Sequence, residues 1–381
     1  MQAVTQVISN GQIFTGEELL ENHALVIEDQ LICRLMPQHQ LPADLATTHD
    51  LDGGLLIPGF TDLQVNGGGG VFFNDAPTVD TIRTIGSSHR RYGTTGFLPT
   101  LISTSYEIMR KAIAAVDQAI AEKVPGVLGI HLEGPFLNPQ RKGVHDAGMF
   151  RPIDDEGMQI IGSLQSGITL LTLAPELTDA ATIGRIADAG IIVSAGHSAA
   201  DYQQTRAALA AGVRGFTHLF NAMTPMQSRE PGMVGAALED EQSWFGIIAD
   251  GFHSHPAAFR TAIRAKRRGG ALLVTDAMST VGSTEKSFVL NGETIHAVDG
   301  RCATATGTLA GSDLDMLTAV NNAAEFADID WFEAVRMASS YPAHALGLEK
   351  KLGKIQAGYT ANLLALDRNR NITHSWIDGM F

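Results

Sequence analysis

The chain has 381 residues, of which 44% are hydrophobic and 18% charged, and its formal net charge at pH 7 is −14. This composition is typical of a globular protein, and no apolar stretch reaches the length that spans a membrane. The excess of acidic residues repels nucleic acid and anionic membrane surfaces, so neither is an expected partner. A small-molecule ligand is expected instead.

Residues 1–57 are predicted to form short antiparallel strands, because "TQVISNGQIFTG" and "HALVIEDQLICRL" alternate polar and apolar residues. The N-terminus has neither a basic start nor an apolar stretch, so we interpret it as a strand rather than an export signal. Cys33 and Cys302 lie in no metal-ligand spacing and suggest no disulfide framework. Reduced thiols and a cytoplasmic location are therefore expected.

From residue 55 onward, short apolar strands alternate with helical segments, which is the pattern of parallel β-α units. One helix is predicted to begin with a capping box formed by Thr104 and Glu107. We count eight such strands: residues 55–66, 94–103, 126–136, 168–176, 191–198, 215–223, 244–254 and 271–279. Eight strands with intervening helices predict a (β/α)8 barrel.

The region after the eighth strand is glycine-rich and hairpin-like, and we interpret it as an insertion over the barrel mouth, followed by two helices that end near Gly347. The C-terminal tail returns to short strands and turns. The predicted fold class is α/β, a (β/α)8 TIM barrel with a second, small β-sandwich domain formed from both chain ends. The predicted bounds are residues 58–347 for the barrel and residues 1–57 with 348–381 for the sandwich.

Four apolar barrel strands end in residues that bind metals or transfer protons: Glu133, His197, His218 and Asp276, with His218 placed on its strand. Active sites of such barrels lie at the C-terminal ends of the strands. A single histidine or glutamate at a strand end is as commonly a hydrogen-bonded core residue as a ligand. Four at corresponding ends predict a functional site.

The chemistry of these residues fits a catalytic metal. One carboxylate and two neutral imidazoles, from Glu133, His197 and His218, are a normal ligand set that leaves a position open for water. Asp276 would then take and return the proton. His131 lies on the face of Glu133 one layer deeper, so we interpret it as a residue that orients the ligands rather than as a ligand itself.

Side chains on the loops at the mouth are candidate substrate contacts: Arg141, Lys142, His145, Asn221, Arg229 and His253. Pro256 suits the first position of a helix, which places His255 at the helix start and His253 toward the pocket. A cationic cluster on an acidic protein favours an anionic substrate group, with phosphate first. The alternative is that the loop cations are ordinary solvated surface charges.

Ten segments together carry a resemblance to a known family: "PGFTDLQVNGGGGVFFND", "LPTLISTS", "GIHLEGPFLNPQRKGVH", "LAPE", "VSAGHS", "THLFNAM", "REPGMVGA", "GIIADGFH", "LVTDAM" and "GTLAGSDLDM". The chain resembles the N-acetylglucosamine-6-phosphate deacetylases of the amidohydrolase superfamily over essentially its whole length. The resemblance implies hydrolysis of the acetamido group of N-acetylglucosamine 6-phosphate to glucosamine 6-phosphate and acetate, a step of amino-sugar catabolism or recycling.

The resemblance also implies roles for single residues. Glu133, His197 and His218 match the family's metal ligands, and Asp276 matches its general base and acid. One divalent metal ion per subunit is expected, with Zn²⁺ first and Fe²⁺, Co²⁺ or Mn²⁺ also accepted by such ligands. The positions that match substrate contacts are Val144, His145, Asn221, Ala222, Arg229, His253, Leu309, Ala310 and Gly311.

The resemblance further implies a homodimer with a shared phosphate site, in which the neighbouring subunit supplies a phosphate contact. Val144 stands where many relatives have a polar residue, so any contact there is expected from its backbone N–H. Arg141 stands where others carry lysine, which keeps the charge.

The first barrel strand carries Gln64 and Asn66 where many superfamily members have a pair of histidines that hold a second metal. Carboxamides are poorer ligands than imidazoles for borderline-soft ions, so we predict a single metal per subunit, with both amides hydrogen-bonding inside the pocket. The glycines at 67–70 follow directly, and we expect them to let the substrate approach the backbone.

Two alternatives stay open. One is another amidohydrolase reaction on the same scaffold, such as hydrolysis of N-acyl amino acids or of cyclic amides. The other is a non-catalytic protein that senses a sugar phosphate or serves as an interaction scaffold. The second is disfavoured because Glu133, His197, His218 and Asp276 are all present.

Overall fold

A computed structural model describes residues 5–381 of the chain. The first four residues, part of the stretch interpreted as a strand rather than an export signal, lie outside the described residues. Within residues 5–381, none of the helices is both long enough and apolar enough to cross a membrane.

The N-terminal region consists of short strands joined by turns. Its strands are β1 (Thr5–Ser9), β2 (Gln12–Phe14), β3 (Leu19–Leu20), β4 (His23–Glu28), β5 (Leu31–Pro37), β6 (His49–Asp50) and β7 (Leu55–Pro58). A single 3-10 turn follows β5 at Gln38–Gln40.

The central region alternates strands and helices. Its elements are β8 (Phe60–Val65), β9 (Gly67–Gly68), β10 (Val71–Phe72), α1 (Val79–Arg90), β11 (Thr94–Ile102), α2 (Tyr106–Ala121), β12 (Gly129–Glu133), α3 (Asp155–Ile161), β13 (Ile168–Leu173), α4 (Ala180–Asp188), β14 (Ile192–Ala195), α5 (Tyr202–Ala211), β15 (Val213–Phe216), α6 (Gly232–Glu239), β16 (Trp244–Ile247), α7 (Pro256–Ala265) and β17 (Ala271–Leu273). The strand residues are buried almost throughout, as expected for parallel strands covered on both faces.

The C-terminal region begins with the insertion over the mouth. Its elements are β18 (Ser287–Leu290), β19 (Glu293–Val298), β20 (Arg301–Ala303), α8 (Met316–Ala327), α9 (Trp331–Ala338), α10 (Ser340–Ala345), β21 (Leu363–Leu366) and β22 (Ile372–Trp376). Three helices occupy the stretch predicted to hold two, because the backbone of Ser339 leaves the helical region (φ −132°, ψ −79°) between α9 and α10.

The eight predicted barrel strands form one parallel sheet in the order β17-β16-β15-β14-β13-β12-β11-β8. Its two ends meet through a parallel bridge between Val65 and Ala277, which closes the barrel. The TIM barrel prediction is confirmed. The C-terminal ends of all eight strands consequently point to one mouth, where the candidate site lies.

The first predicted barrel strand, residues 55–66, is two strands in the structure. Leu55–Pro58 pairs with β21 in the sandwich, and Phe60–Val65 pairs with β11 in the barrel. The break falls at Gly59, where an added Cβ would lie 2.1 Å from Thr95 Oγ1. A side chain does not fit there, so glycine allows the chain to pass from one domain to the other.

Both chain ends contribute to the small β-sandwich. One sheet has the order β5-β4-β1-β6, and the other has the order β22-β21-β7-β2-β3. Apolar residues of both sheets form a separate core: Ile8, Ile13, Leu25, Ile27, Leu56, Leu363 and Trp376. The predicted sandwich from both chain ends is confirmed, while its bounds at residues 57 and 348 stay a prediction.

Helix α2 shows how the outer layer packs. Met109, Ile113 and Val116 recur at helical spacing and are buried against the barrel. The predicted capping box is wrong by one position, because Ser105 is the N-cap and its hydroxyl accepts a hydrogen bond from Ile108 N.

Candidate active site

Four strand ends bring the predicted metal and acid-base residues to the mouth. Glu133 is the last residue of β12, whereas His197, His218 and Asp276 each follow a strand by two or three residues. His218 therefore lies beyond β15 rather than on it. The backbone φ angles of His197, His218 and Asp276 are positive, at 48°, 35° and 52° respectively. Such backbone is costly for residues other than glycine and is concentrated at functional sites.

Three of these side chains converge on one point. The Nε2 atoms of His197 and His218 are 3.1 Å apart and lie 3.2 Å and 2.9 Å from Glu133 Oε1. Metal–nitrogen bonds of about 2.0–2.1 Å in a tetrahedron place neighbouring ligand atoms roughly 3.3 Å apart. The triangle therefore fits one divalent cation, and all three residues are buried.

The orientation of His197 is set by a backbone carbonyl. Its Nδ1 lies 2.8 Å from Arg141 O, and a carbonyl oxygen only accepts hydrogen bonds. Nδ1 therefore carries the proton and Nε2 presents its lone pair to the metal position. Arg141 acts here through its main chain, and its side chain does not line the cavity.

The two amides predicted to replace a histidine pair hold Asp276. Gln64 Nε2 donates to Glu133 Oε1 at 3.2 Å and to Asp276 Oδ1 at 3.1 Å. Asn66 Nδ2 donates to the same Asp276 oxygen at 2.6 Å. Both amide groups thus turn N–H donors toward the carboxylates, which is unsuited to a second cation. The other oxygen of Asp276, Oδ2, is left for the cavity.

The surroundings of Asp276 change its proton affinity. Burial, followed by the negative charge of Glu133, raises the pKa of Asp276 to about 6. A carboxylate with a raised pKa is a stronger proton acceptor when ionised than an ordinary aspartate. The geometry and the pKa both suit a group that accepts a proton and returns it.

His145 is held as a neutral hydrogen-bond donor. The backbone N–H of Ser103 donates to His145 Nδ1 at 3.4 Å, and Ser103 Oγ lies 2.8 Å from the same nitrogen. Because an N–H group only donates, Nδ1 is the acceptor and Nε2 carries the proton. Burial lowers the pKa of His145 to about 3, so the ring is neutral at pH 7.

A cavity of about 260 Å³ opens above these residues. It is lined by seven of the nine predicted substrate contacts: Val144, His145, Asn221, Ala222, His253, Leu309 and Gly311. Ala310 faces a buried apolar cluster instead. A larger cavity of about 490 Å³, lined by Arg214 and Trp244 among others, lies at the opposite end of the barrel and holds none of the predicted site residues.

The insertion supplies one wall of this cavity. Leu290, at the end of β18, and Leu309 line it directly, as predicted for a cover over the mouth. Asn291 at the hairpin turn donates through Nδ2 to Val144 O at 2.8 Å. This bond connects the insertion to the loop that carries His145.

The helix that follows β16 begins as predicted. His255 is the N-cap of α7, with Pro256 at the first helical position. His253 lines the cavity, and its Nδ1 lies 2.6 Å from Asp250 Oδ2. Since the carboxylate only accepts, Nδ1 carries a proton.

The loop cations do not reach the cavity of their own chain. Arg229 and Lys142 are exposed, and neither lines the cavity. No residue of the described part of the chain forms a hydrogen bond or ion pair with the Arg229 side chain. The surrounding loop is nevertheless fixed, because Glu230 Oε1 accepts from Tyr202 N and Gly232 N, both at 3.0 Å.

The glycine run has a different cause from the one predicted. Residues 67–70 do not line the cavity. They pack against the loop that follows Asp276, where Gly69 N donates to Val281 O at 2.7 Å. A Cβ on Gly69, whose φ is +65°, would lie 2.2 Å from Ser88 Oγ. Contact with the protein's own loop and with α1, rather than with substrate, requires glycine here.

His131 lies two residues before Glu133 on β12 and does not line the cavity. Its Nδ1 is 3.2 Å from Thr100 Oγ1 on β11, and its Nε2 is 2.8 Å from Thr172 Oγ1 on β13. The ring therefore links β12 to both neighbouring strands, two residues before Glu133. This placement fits a residue that orients rather than binds the metal.

Sequence reasoning did not identify Ser103 or Asp62. Ser103 sets the tautomer of His145 and follows β11 directly, but serine at a strand end carries no distinctive signal. Asp62 precedes Gln64 and Asn66 at spacing two, so the alternation that placed the two amides in the pocket also places Asp62 on the inner face.

Comparison with known proteins places this geometry in a family. Residues 55–381 match the amidohydrolase family, and residues 7–56 match the NagA composite domain. The N-acetylgalactosamine-6-phosphate deacetylase of Shewanella sp. (strain ANA-3) is 39% identical over 374 residues, which cover 98% of this chain and 95% of that protein.

Solved structures agree with this match. The N-acetylglucosamine-6-phosphate deacetylase from Pasteurella multocida is 36% identical with a TM-score of 0.95, covering 99% of both chains. A mutant of the Mycobacterium smegmatis enzyme in complex with N-acetyl-D-glucosamine-6-phosphate is 30% identical with a TM-score of 0.91, covering 98% of both chains. The chain therefore belongs to the amidohydrolase family, within its N-acetylglucosamine-6-phosphate deacetylases, and is a metal-dependent amide hydrolase.

Proposed function

We propose that the protein hydrolyses the acetamido group of N-acetylglucosamine 6-phosphate, giving glucosamine 6-phosphate and acetate in amino-sugar catabolism or recycling. The observation that carries this proposal is the convergence of Glu133, His197 and His218 on one point beside Asp276, in a cavity of a chain whose relatives deacetylate amino-sugar phosphates. The direct test is a deacetylation assay on N-acetylglucosamine 6-phosphate, with acetate release as readout. Absence of turnover by the metal-loaded protein would refute the proposal.

Glu133, His197 and His218 would hold one divalent cation, and we propose Zn²⁺, with Fe²⁺, Co²⁺ or Mn²⁺ as alternatives. When bound, such a cation is a Lewis acid that makes hydroxide available from water near pH 7. Gln64 and Asn66 support a count of one, because their N–H groups face the carboxylates. Two tightly held metals per chain would contradict this count.

Asp276 is the proposed base and then acid. Its Oδ1 accepts from Asn66 and Gln64, which fixes the carboxylate and leaves Oδ2 free to take the proton of the attacking water. Oδ2 then returns this proton to the leaving nitrogen, so that the C–N bond breaks with a neutral amine as product.

His145 is the proposed donor to the substrate carbonyl oxygen. Its neutral ring carries a proton on Nε2 because Ser103 occupies Nδ1. A fixed N–H group stabilises the charge that develops on this oxygen as water adds to the carbonyl. Asn221 and His253 also line the cavity and are the proposed contacts to the sugar.

The pH profile is expected to follow Asp276. The carboxylate must be ionised to accept a proton, and burial with the nearby Glu133 charge raises its pKa to about 6. A bound cation favours the ionised form, so kcat/KM should fall as the pH drops through an apparent pKa at or below about 6. The measurement is the pH dependence of kcat/KM. An acid limb clearly above that value would contradict the assignment.

The phosphate contact is proposed to come from Arg229 of the partner subunit in a homodimer. Within the described part of one chain, no lysine or arginine lines the cavity. The side chain of Arg229 is exposed and forms no hydrogen bond or ion pair with the described residues, although its loop is fixed. A dianionic group needs such a cation nearby. Met226 lies on the same loop and is 62% exposed, and a large exposed apolar side chain suits an interface between two copies of this chain.

Arg229→Ala is expected to lower kcat/KM for N-acetylglucosamine 6-phosphate by about 10- to 100-fold, the value of a charged hydrogen bond. Turnover of unphosphorylated N-acetylglucosamine should stay unchanged. Arg264→Ala, which removes an exposed arginine of α7, is the matched control. Equal wild-type turnover of both sugars would contradict the phosphate assignment.

A mixing experiment separates the two possible origins of Arg229. Arg229→Ala and Asp276→Asn chains are unfolded together and refolded in equal amounts. If the arginine acts across the interface, random pairing in two-fold dimers should restore about a quarter of wild-type activity. If it acts within its own chain, the mixture should keep only about half of the residual activity of the Arg229→Ala protein, at most about 5% of wild type.

The 4-epimer, N-acetylgalactosamine 6-phosphate, is a second candidate substrate, because a relative with 39% identity is named for it. The two sugar phosphates differ only in the orientation of one hydroxyl, so comparing kcat/KM for both decides between them. N-acyl amino acids and cyclic amides are the remaining alternatives and belong in the same assay.

Cytoplasmic residence stays a proposal, supported by free thiols at Cys33 and Cys302.

A further inference from the structure

The barrel closes at an irregular seam between β8 and β17. Each of the other adjacent strand pairs has a ladder of paired residues. In the part of the chain that the structure describes, the pair β8 and β17 has only the isolated bridge between Val65 and Ala277. Asp276 lies at this seam, and its N–H donates to Gln64 O at 3.0 Å.

A buried carboxylate takes over the pairing just below the base. Asp62 is fully buried and does not line the cavity. Its Oδ2 accepts from Thr275 Oγ1 at 2.5 Å, and its Oδ1 accepts from Thr275 N at 3.3 Å and Gln64 N at 3.1 Å. The Asp62 side chain thus accepts hydrogen bonds from Thr275, the residue before Asp276. It also accepts one from the backbone N–H of Gln64, whose side-chain amide donates to Asp276.

Ser312 binds the same segment from the other side. Its hydroxyl donates to Thr275 O at 2.6 Å, and its N–H donates to Asp276 O at 2.9 Å. Ser312 is also fully buried. We name the three residues Asp62, Thr275 and Ser312 the seam clamp.

The backbone at Asp276 needs such support. Its φ of 52° lies in the left-handed region, which costs a non-glycine residue free energy and persists only where neighbours enforce it. At the seam, this backbone is held by an isolated bridge rather than by a longer ladder, with Asp276 N donating to Gln64 O at 3.0 Å and Asn66 N donating to Ala277 O at 2.9 Å. Hydrogen bonds from the clamp therefore add to the two bonds of this bridge and fix the backbone from which the Asp276 side chain extends.

We propose that the seam clamp positions Asp276 for proton transfer. The clamp does not touch the cavity and acts through the backbone of Thr275 and Asp276. This inference rests on the proposed function, because it takes Asp276 as the base.

The test compares two substitutions at one position. Thr275→Val keeps the shape but removes the hydroxyl that bonds Asp62, whereas Thr275→Ser retains this hydroxyl. Thr275→Val should lower kcat by about tenfold or more, with KM within threefold of wild type, because a small misplacement of a catalytic group greatly slows the reaction. Thr275→Ser should restore kcat to within about threefold of wild type.

The matched control is Thr205→Val on helix α5. Thr205 is also buried, and its hydroxyl donates to Asp201 O at 2.7 Å, outside the barrel interior. It should leave kcat unchanged. If Thr275→Val does not fold, Ser312→Ala removes the bond on the other side of Thr275 and is expected to have the same effect on kcat.

Two readouts do not depend on the substrate. Hydrogen exchange of the Asp276 amide should become faster in Thr275→Val and stay as in wild type in Thr275→Ser and Thr205→Val. Metal content per chain should be unchanged in all variants. These measurements test the clamp even if wild type hydrolyses neither sugar phosphate, an outcome that would refute the proposed function alone.

Three results would overturn the proposal. The first is wild-type kcat in a folded Thr275→Val protein. The second is an equal loss of kcat in the valine and serine variants, which would indicate packing rather than the hydroxyl. The third is a loss of metal in parallel with kcat, which would place the effect at Glu133 instead of Asp276.

Discussion

Asp276→Asn is expected to lower kcat by about 10³-fold, within the range that general acid–base catalysis contributes. The substitution keeps the shape of the side chain and the oxygen that accepts from Asn66 and Gln64. It removes the basic oxygen that faces the cavity. The measurement is kcat for acetate release, together with the metal content of the purified variant.

The metal content of Asp276→Asn should equal that of wild type, because Asp276 is not one of the three converging ligands. Asp367→Asn is a matched control in a turn of the sandwich, where Asp367 accepts hydrogen bonds from Asn369 and Asn371. It should leave kcat unchanged. Retention of kcat within tenfold by Asp276→Asn would refute the base assignment.

Glu133→Gln is expected to remove the bound metal and to lower kcat by at least about 10³-fold, because the Lewis acid contributes several kcal/mol to the transition state. The carboxylate supplies the only negative charge among the three ligands, and the amide that replaces it would turn either a neutral oxygen or an N–H group toward the metal. Elemental analysis per chain and kcat measure the two effects.

The control for Glu133→Gln is His253→Gln, which alters a residue of the cavity wall outside the ligand triangle. The His253→Gln protein should keep its metal. Its effect should be limited to KM or kcat for the sugar phosphate. A Glu133→Gln protein with wild-type metal content would show that the cation is held elsewhere. Restoring activity to chelated wild type with Zn²⁺, but not to Glu133→Gln, would support the proposed site.

Strand periodicity was sufficient to predict the barrel and the relative positions of the site residues. Eight apolar segments of strand length, separated by helical ones, allow few other arrangements. Once the strands are parallel and adjacent, Glu133, His197, His218 and Asp276 must meet at one end. These inferences depend on local pattern and on general rules of chain topology, so they need no coordinates.

The loop residues were harder to predict, because their neighbours in space are distant in sequence. Arg141 was expected to act through its charge, but it contributes a carbonyl oxygen to His197. The glycine run was assigned to substrate approach, whereas Ser88 on α1 occupies the space a side chain would need. Neither contact can be inferred from the local sequence pattern, because each joins residues that are distant in the chain.

The sequence by itself therefore determined the fold class, the two-domain organisation and the set of residues at the strand ends, because alternation and spacing express which side chains face inward. Only the tertiary structure decided which atoms meet. The tautomers of His197 and His145, the free oxygen of Asp276 and the clamp at Asp62 all depend on hydrogen bonds between strands far apart in the chain. Such bonds are made by the closure of the barrel, which brings together residues as distant as Asp62 and Thr275.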